Sequence, residues 1–233
     1  MKTKCRTKAS LAMTLAATIL VLGLATTTFA QTKSELDNRV RKLMAQFDSL
    51  QANAEARIPA EKLKKAKGVI VMDRTKGGFI FGYEQGFGVA MVKNKGDWSP
   101  FSFMNSHEGS FGAQIGGKST FCVILLMNDA ARDRLANSKV NFGGEAGGTG
   151  GSDSGGVGGN VTEEPPMLVF GESKGLYGGA VVKGGSVAAD DKANQKYYGQ
   201  FYSTKDILFD TKVKPSETAT EFAKKLDEAM KGK

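Results

Sequence analysis

From Lys33 to Arg57 the apolar residues Leu36, Val40, Leu43, Phe47, Leu50 and Ala54 recur at spacings of four and three. That rhythm winds them into one stripe along an amphipathic helix, with Lys33, Arg39, Arg41 and Lys42 among its polar neighbours. Pro59 suits the start of a second, shorter helix, PAEKLKKAK, with Leu63 and Ala66 facing inward and Gly68 ending it. The period then changes. Val69 to Met72 reads as a short buried strand and Arg74 to Gly78 as a turn. Beyond it, Phe79, Ile80, Phe81, Tyr83, Phe87, Val89, Met91, Trp98, Phe101 and Phe103 fall at near-alternate spacing, broken by glycines and by an Asn94-Lys95-Gly96 turn signal. Aromatic and branched residues in that pattern write antiparallel strands.

The unbroken apolar run Phe121 to Met127 adds a strand, and Asn128 can cap a helix containing Ala130, Ala131 and Leu135, with Asn137-Ser138 at its end. Between Gly143 and Gly159 ten of seventeen residues are glycine, which predicts a long loop with almost nothing to bury. Met167 to Phe170 is a further strand. Leu176 to Val182 and Ser186 to Ala189 read as a hairpin, Asp190 to Asn194 as a polar loop, Lys196 to Tyr202 as an aromatic segment and Thr204 to Leu208 as a helical turn. Ser216 caps a last amphipathic helix in which Phe222, Leu226, Ala229 and Met230 share a face. Helices, then a long run of strands, then one helix describe an α+β chain with a mainly antiparallel sheet, open or barrel-like. The organisation expected is 1–30 as a signal peptide, 31–67 as an N-terminal helical segment, 68–210 as a β-rich core holding the glycine-rich loop 143–160, and 211–233 as a C-terminal helix.

Charge changes the picture at the N-terminus. Lys2, Lys4, Arg6 and Lys8 precede the apolar stretch Leu11 to Leu24, and Thr28-Phe29-Ala30 is a small-x-small cleavage site, the build of an export signal cut after Ala30. The stretch falls short of the ~20 residues that span a bilayer. A lipoprotein signal would need a cysteine just after the stretch, and Cys5 lies before it, so lipidation is not supported. Losing those four cations takes the formal net charge from +8 to +4. That mild basicity suits anionic headgroups but lacks the clustered face of a nucleic-acid binder. Cys122, the one cysteine beyond the signal, sits in an apolar run and reads as a small buried hydrophobe.

Chemical motifs are weak. Gly112 to Ser119 spells GxxxxGKS, yet a phosphate loop needs a helix directly after the lysine, and a β-prone run follows instead, so no nucleotide is expected. The single near-match to GGxGxD at 147–153 has one residue too many and no stacked repeat, so it is not read as a calcium site. His107, the sole histidine, stands beside Glu108 without a GxSxG elbow or a second histidine, and Asp190-Asp191 reads as a loop or helix-cap pair. No catalytic residue, cofactor or metal is assigned. The sharper chemistry lies in the cations of the first two helices, because Lys and Arg beside an apolar stripe can rest among lipid phosphates.

The run GGFIFGYEQGFGVAMVKNKGDWSPFSF, followed by GSFGAQIGGKSTFCVILLMN and later by YGGAVVKGGSVAADDKANQKYYG with STKDILF, resembles the SYLF domain over roughly Leu63 to Phe209. That family is a lipid-binding module of eukaryotic endocytic actin regulators and of many bacterial envelope proteins. The resemblance implies a non-enzymatic exported protein of the periplasm, cell envelope or extracellular space that contacts anionic phospholipid. It places the lipid-binding set near the N-terminal end, which Lys62, Lys64, Lys65 and Lys67 match best, with Arg39, Arg41 and Lys42 beside them. An envelope protein partner met through a sheet edge or the glycine-rich loop stays open as an alternative, and a hydrolase acting through His107 as a remoter one.

Overall fold

Thr32 accepts a hydrogen bond at its hydroxyl from the amide of Glu35 (3.2 Å), and Glu35 returns one from the Thr32 amide (2.6 Å). This reciprocal cap opens helix α1, Lys33–Ala52, and buries Leu36, Val40, Leu43, Met44, Phe47 and Leu50 in one stripe. The helix stops at Ala52, so Ala54 is exposed rather than part of the stripe. In the computed structural model, residues 32–78, 81–111, 118–137, 139–141, 166–171, 175–176, 186–210 and 212–232 are described. The export signal, its cleavage site at Ala30, the core of GxxxxGKS at 112–117 and the glycine-rich loop 143–160 lie outside them.

After α1 come helix α2 (Ala60–Lys65) and strands β1 (Gly68–Gly78), β2 (Phe81–Asn94), β3 (Asp97–Trp98), β4 (Ser102–Phe111) and β5 (Lys118–Leu126). Helix α3 (Asp129–Asp133) runs into a 3-10 turn, Arg134–Ala136; then follow β6 (Lys139–Asn141), β7 (Met167–Gly171), β8 (Gly175–Leu176), β9 (Ser186–Ala189), α4 (Asp191–Tyr198), α5 (Thr204–Leu208) and α6 (Glu217–Met230). The strands form one antiparallel sheet in the order β6-β9-β4-β2-β1-β5-β7-β8, with β3 as a short hairpin arm of β2. The fold is therefore α+β, as the element order implies. The sheet is open rather than a barrel: among the described residues β6 and β8 are its two edges.

Both faces of the sheet are covered. Val69, Val71, Val89, Met91, Val123 and Leu125 pack under α1, α2, α4 and α6; Ile70, Met72, Ala90, Val92, Cys122 and Ile124 pack under α3 and α5. Two covered faces explain why β1 and β5 carry unbroken apolar runs. Three sequence expectations change. Arg74 to Gly78 continues β1, because Arg74 pairs with Gly86 on one side and Thr120 on the other and is only 7% exposed. Ser186 to Ala189 pairs with β4 and β6 and Leu176 with β7, so these described residues are not hairpin partners, while 177–185 lie outside the described residues. The polar loop and aromatic segment at 190–202 are mostly helix α4, started by Asp190, whose carboxylate accepts from the Ala193 amide (3.0 Å).

Helix α4 is tied to the sheet by Asn194, 1% exposed, which accepts from the Phe103 amide (2.8 Å) and donates to Ser102 Oγ (3.1 Å) and the Phe103 carbonyl (3.2 Å). Tyr197 joins three helices, its hydroxyl lying 2.7 Å from both Asp37 of α1 and Ser216 at the cap of α6. Burial, with Asp37 beside the hydroxyl, pushes the Tyr197 phenol up to about 12. Asn128 and Ser216 cap α3 and α6 as their sequence positions suggest.

Candidate functional site

The seven cations singled out in the sequence separate into two places. On α1 they are exposed and reach across to neighbouring elements. Arg41 Nη1 meets Glu221 of α6 at 2.6 Å, and Lys42 Nζ meets Asp73 of β1 at 2.6 Å. The Arg39 guanidinium lies over the Phe87 ring of β2, 4.6 Å from its centre. These contacts bind the outer side of α1 to its neighbours, adding to the buried stripe beneath. A polar recess of about 350 Å³ between α1 and the sheet is lined by Arg39, Lys42, Asp73, Phe87 and Asp190, so it mixes both signs of charge.

The α2 cations stand elsewhere. Leu63 is fully buried and Ala66 nearly so, which turns Lys64, Lys65 and Lys67 outward and leaves Lys62 half-buried. The chain then enters β1 at Gly68. There the Lys67 amide donates to the Leu126 carbonyl (2.7 Å), and the Lys67 carbonyl accepts from the Lys93 amide (2.8 Å). This register brings in two lysines that the sequence reading missed. Lys93 Nζ donates to the carbonyls of Leu63 and Lys64 (3.1 Å each), closing the C-terminal end of α2, and rests over the Trp98 ring at 4.9 Å. Trp98 in turn donates from its indole nitrogen to Asp227 of α6 (3.0 Å). Burial lowers the Lys93 pKa, with Asp227 opposing and Lys67 reinforcing that shift. Two residues on, Lys95 (φ 54°) and Gly96 (φ 106°) make the tight turn between β2 and β3 and leave Lys95 exposed.

One end of the sheet, where β1 begins and β2 ends, therefore gathers Lys62, Lys64, Lys65, Lys67, Lys93 and Lys95. Glu61 of α2, Asp97 of β3 and Asp227, which reaches Trp98, stand among them. The signal for the two missed lysines was present in the Asn94-Lys95-Gly96 turn. It becomes spatial only once β1 is paired with β2 from Gly68 and Val92 onward.

The weaker motifs take structural positions. Lys118 and Ser119 open strand β5 where a phosphate loop would open a helix. His107 and Glu108 lie in β4, opposite Gln85 and Glu84, rather than in a loop. Cys122 is buried in β5. Among the described residues no group of three or more His, Cys, Asp or Glu could hold a metal, and no helix is long and apolar enough to cross a membrane.

The family model described as Ysc84, Las17-binding protein actin regulator, matches residues 107–229, from β4 through most of α6. An SH3 domain-containing protein of Schizosaccharomyces pombe is 31% identical over 183 residues, covering 76% of this chain and 43% of that protein. LAS seventeen-binding protein 3 of Saccharomyces cerevisiae is 30% identical over 184 residues (76% and 40%), and SH3 domain-containing YSC84-like protein 1 of Homo sapiens is 27% identical over 191 (79% and 56%). The chain thus spans between two fifths and just over half of the length of these relatives. With more than half of its length matched by the family model and its order of elements consistent with the quoted motifs, the chain belongs to the Ysc84 family, the family of the SYLF domain.

Proposed function

We propose that this is an exported, non-catalytic SYLF-type module that binds anionic phospholipid surfaces through the lysines gathered at one end of its sheet. The observation that carries the reading is that gathering. Lys64, Lys65, Lys67 and Lys95 are exposed on two neighbouring segments held together by Lys93. Each cation near an anionic bilayer contributes about 1 kcal/mol, so a handful acting together gives useful affinity without a deep pocket. Arg39, Arg41 and Lys42 are exposed too and add to the field; the lipid contact is assigned first to Lys64, Lys65, Lys67 and Lys95 because these share one end of the sheet. The family match begins after α2, so this assignment rests on the geometry of the sheet end.

The test is sedimentation with phosphatidylglycerol-containing and purely phosphatidylcholine vesicles. Binding is expected to the first alone, and to disappear in 1 M salt, where screening shortens the reach of charge to about 3 Å. Equal recovery with both vesicle types contradicts the reading. Export rests on residues 1–30, and the mass of the secreted chain should place its new terminus at Gln31.

A protein partner is the second reading. It is favoured by the names of the relatives, which include LAS seventeen-binding protein, and by the short strands β6 and β8 at the sheet edges. Crosslinking to an envelope protein, with no lipid found by mass spectrometry in the purified sample, would favour it over lipid.

A further inference from the structure

The link between α4 and α5 carries Phe201, 61% exposed and the one large apolar side chain so exposed among the described residues. Single exposed apolar residues are ordinary and need no explanation alone. Here three further features coincide. The link is rigid: Gly199 ends α4 at φ +80°, a left-handed position that suits glycine, and Ser203 opens α5 with a reciprocal cap to Asp206. Its base is closed by aromatic rings, since Tyr198 and Tyr202 meet edge to face at 6.3 Å and Gln200 donates to the Tyr202 hydroxyl. Phe201 stands on a pinned turn rather than on a loose tail.

Its location is the third feature. The Tyr198 hydroxyl donates to the Phe101 carbonyl (2.5 Å), just before β4 begins, and Asn94 at the end of β2 donates to the Leu208 carbonyl of α5 (2.6 Å). The link therefore passes around the same end of the sheet that carries Lys95 and the α2 lysines. Lys205, also exposed, follows within one turn of α5.

The geometry points to Phe201 as an apolar wedge that enters the acyl boundary of an anionic bilayer while lysines at the same end of the sheet engage its phosphates. This rests on the lipid reading above and adds a depth to it. Cations alone hold a protein at the headgroup plane, whereas a phenyl ring on a rigid turn gains by leaving water only where hydrocarbon is within reach. The committed occupant is a phospholipid bilayer, because Lys95 and Lys205, exposed at the same end of the sheet as the link, complement its charge.

The experiment uses the full chain and vesicles of equal phosphatidylglycerol and phosphatidylcholine, with Phe201→Ser, Phe201→Trp and a triple Lys64→Ala, Lys65→Ala, Lys67→Ala variant. Phe201→Ser is expected to keep the wild-type melting temperature and the same salt dependence but to bind about tenfold more weakly. Phe201→Trp should show quenching by bromine-labelled acyl chains beyond that of Trp98 in the wild type. If Phe201→Ser binds as the wild type and Phe201→Trp gains no quenching, while the lysine variant loses binding, the wedge is wrong and the lipid reading stands. If the wild type itself ignores anionic vesicles, the lipid reading fails and the wedge with it. If Phe201→Ser keeps vesicle binding but loses a protein crosslink, the ring belongs to a protein contact and the wedge is overturned.

Discussion

Two groups of cations, one on α1 and one at the exit of α2, look alike in the sequence and differ in the fold. Arg41 and Lys42 reach Glu221 and Asp73 at 2.6 Å, and Arg39 covers Phe87. Lys64 and Lys65 project from the end of a helix of six residues, Lys67 stands between its cap and β1, and Lys95 joins them from the neighbouring turn. The first group fastens a helix whose inner stripe is already fully buried. The second crowns an end of the sheet. A helix with an apolar stripe and basic flanks is thus no lipid site by pattern alone, because its own core can claim the stripe and its own acids the flanks.

The largest effect expected from this contrast is on stability. Phe222 of α6 is fully buried and meets Phe47 of α1 edge to face, with ring centres 6.1 Å apart. Phe222→Ala should cost about 3–5 kcal/mol in urea denaturation, as large core truncations do. A cost below about 1 kcal/mol would mean that α1 is only loosely laid on the body, as a membrane helix would be.

Next in size is Lys93→Met, which keeps the side-chain stem and removes the two bonds to the α2 carbonyls. A loss of about 1 kcal/mol is expected, since Lys93 is only half-buried, together with faster hydrogen exchange in α2. Vesicle binding should fall by more than one lysine's share, because the neighbours lose their alignment. Unchanged exchange in α2 would show that Lys93 does not hold the cluster together.

Smaller still is the Arg41–Glu221 pair, whose side chains are both near half-exposed. A double-mutant cycle should return a coupling of about 0.2–1 kcal/mol, reduced by salt. The pH-dependent contribution of Tyr197 is absent at neutral pH. Its phenol is raised from 10.0 to about 12, so the unfolded chain ionises first and stability is full below pH 10. It should decline as pH rises from 10 to 12. Tyr197→Phe should reduce that slope without abolishing it, since burial also raises the neighbouring Tyr198 phenol, as read from melting temperatures across the range, while leaving vesicle binding alone.

Local pattern gave much of the framework. The α1 stripe, the Asn128 and Ser216 caps, the Asn94-Lys95-Gly96 turn and the run at Phe121 all stand where their residues suggest. What failed depended on distant partners. Arg74 looked like part of a turn because charge and glycine surround it, yet strands on both sides hold its backbone in the sheet. The fate of β9 could not be read locally either, since its partners β4 and β6 lie far off in the chain. Helix α4 was legible in hindsight from Asp190 and Gly199, although its residues read as a polar loop followed by an aromatic segment. At the candidate site, the α2 lysines were visible in sequence. Lys93 and Lys95 were not, because only pairing of β1 with β2 brings them alongside.

The central claim is that position in the fold, not basicity, decides which cations meet lipid. It is tested most directly by measuring binding of two triple variants to phosphatidylglycerol vesicles side by side. Lys64→Ala, Lys65→Ala, Lys67→Ala should bind about 100-fold more weakly than the wild type at unchanged stability. Arg39→Ala, Arg41→Ala, Lys42→Ala should bind within a few-fold of the wild type and melt at a lower temperature. Equal losses of binding in the two variants, or a larger loss in the α1 variant, would contradict the account.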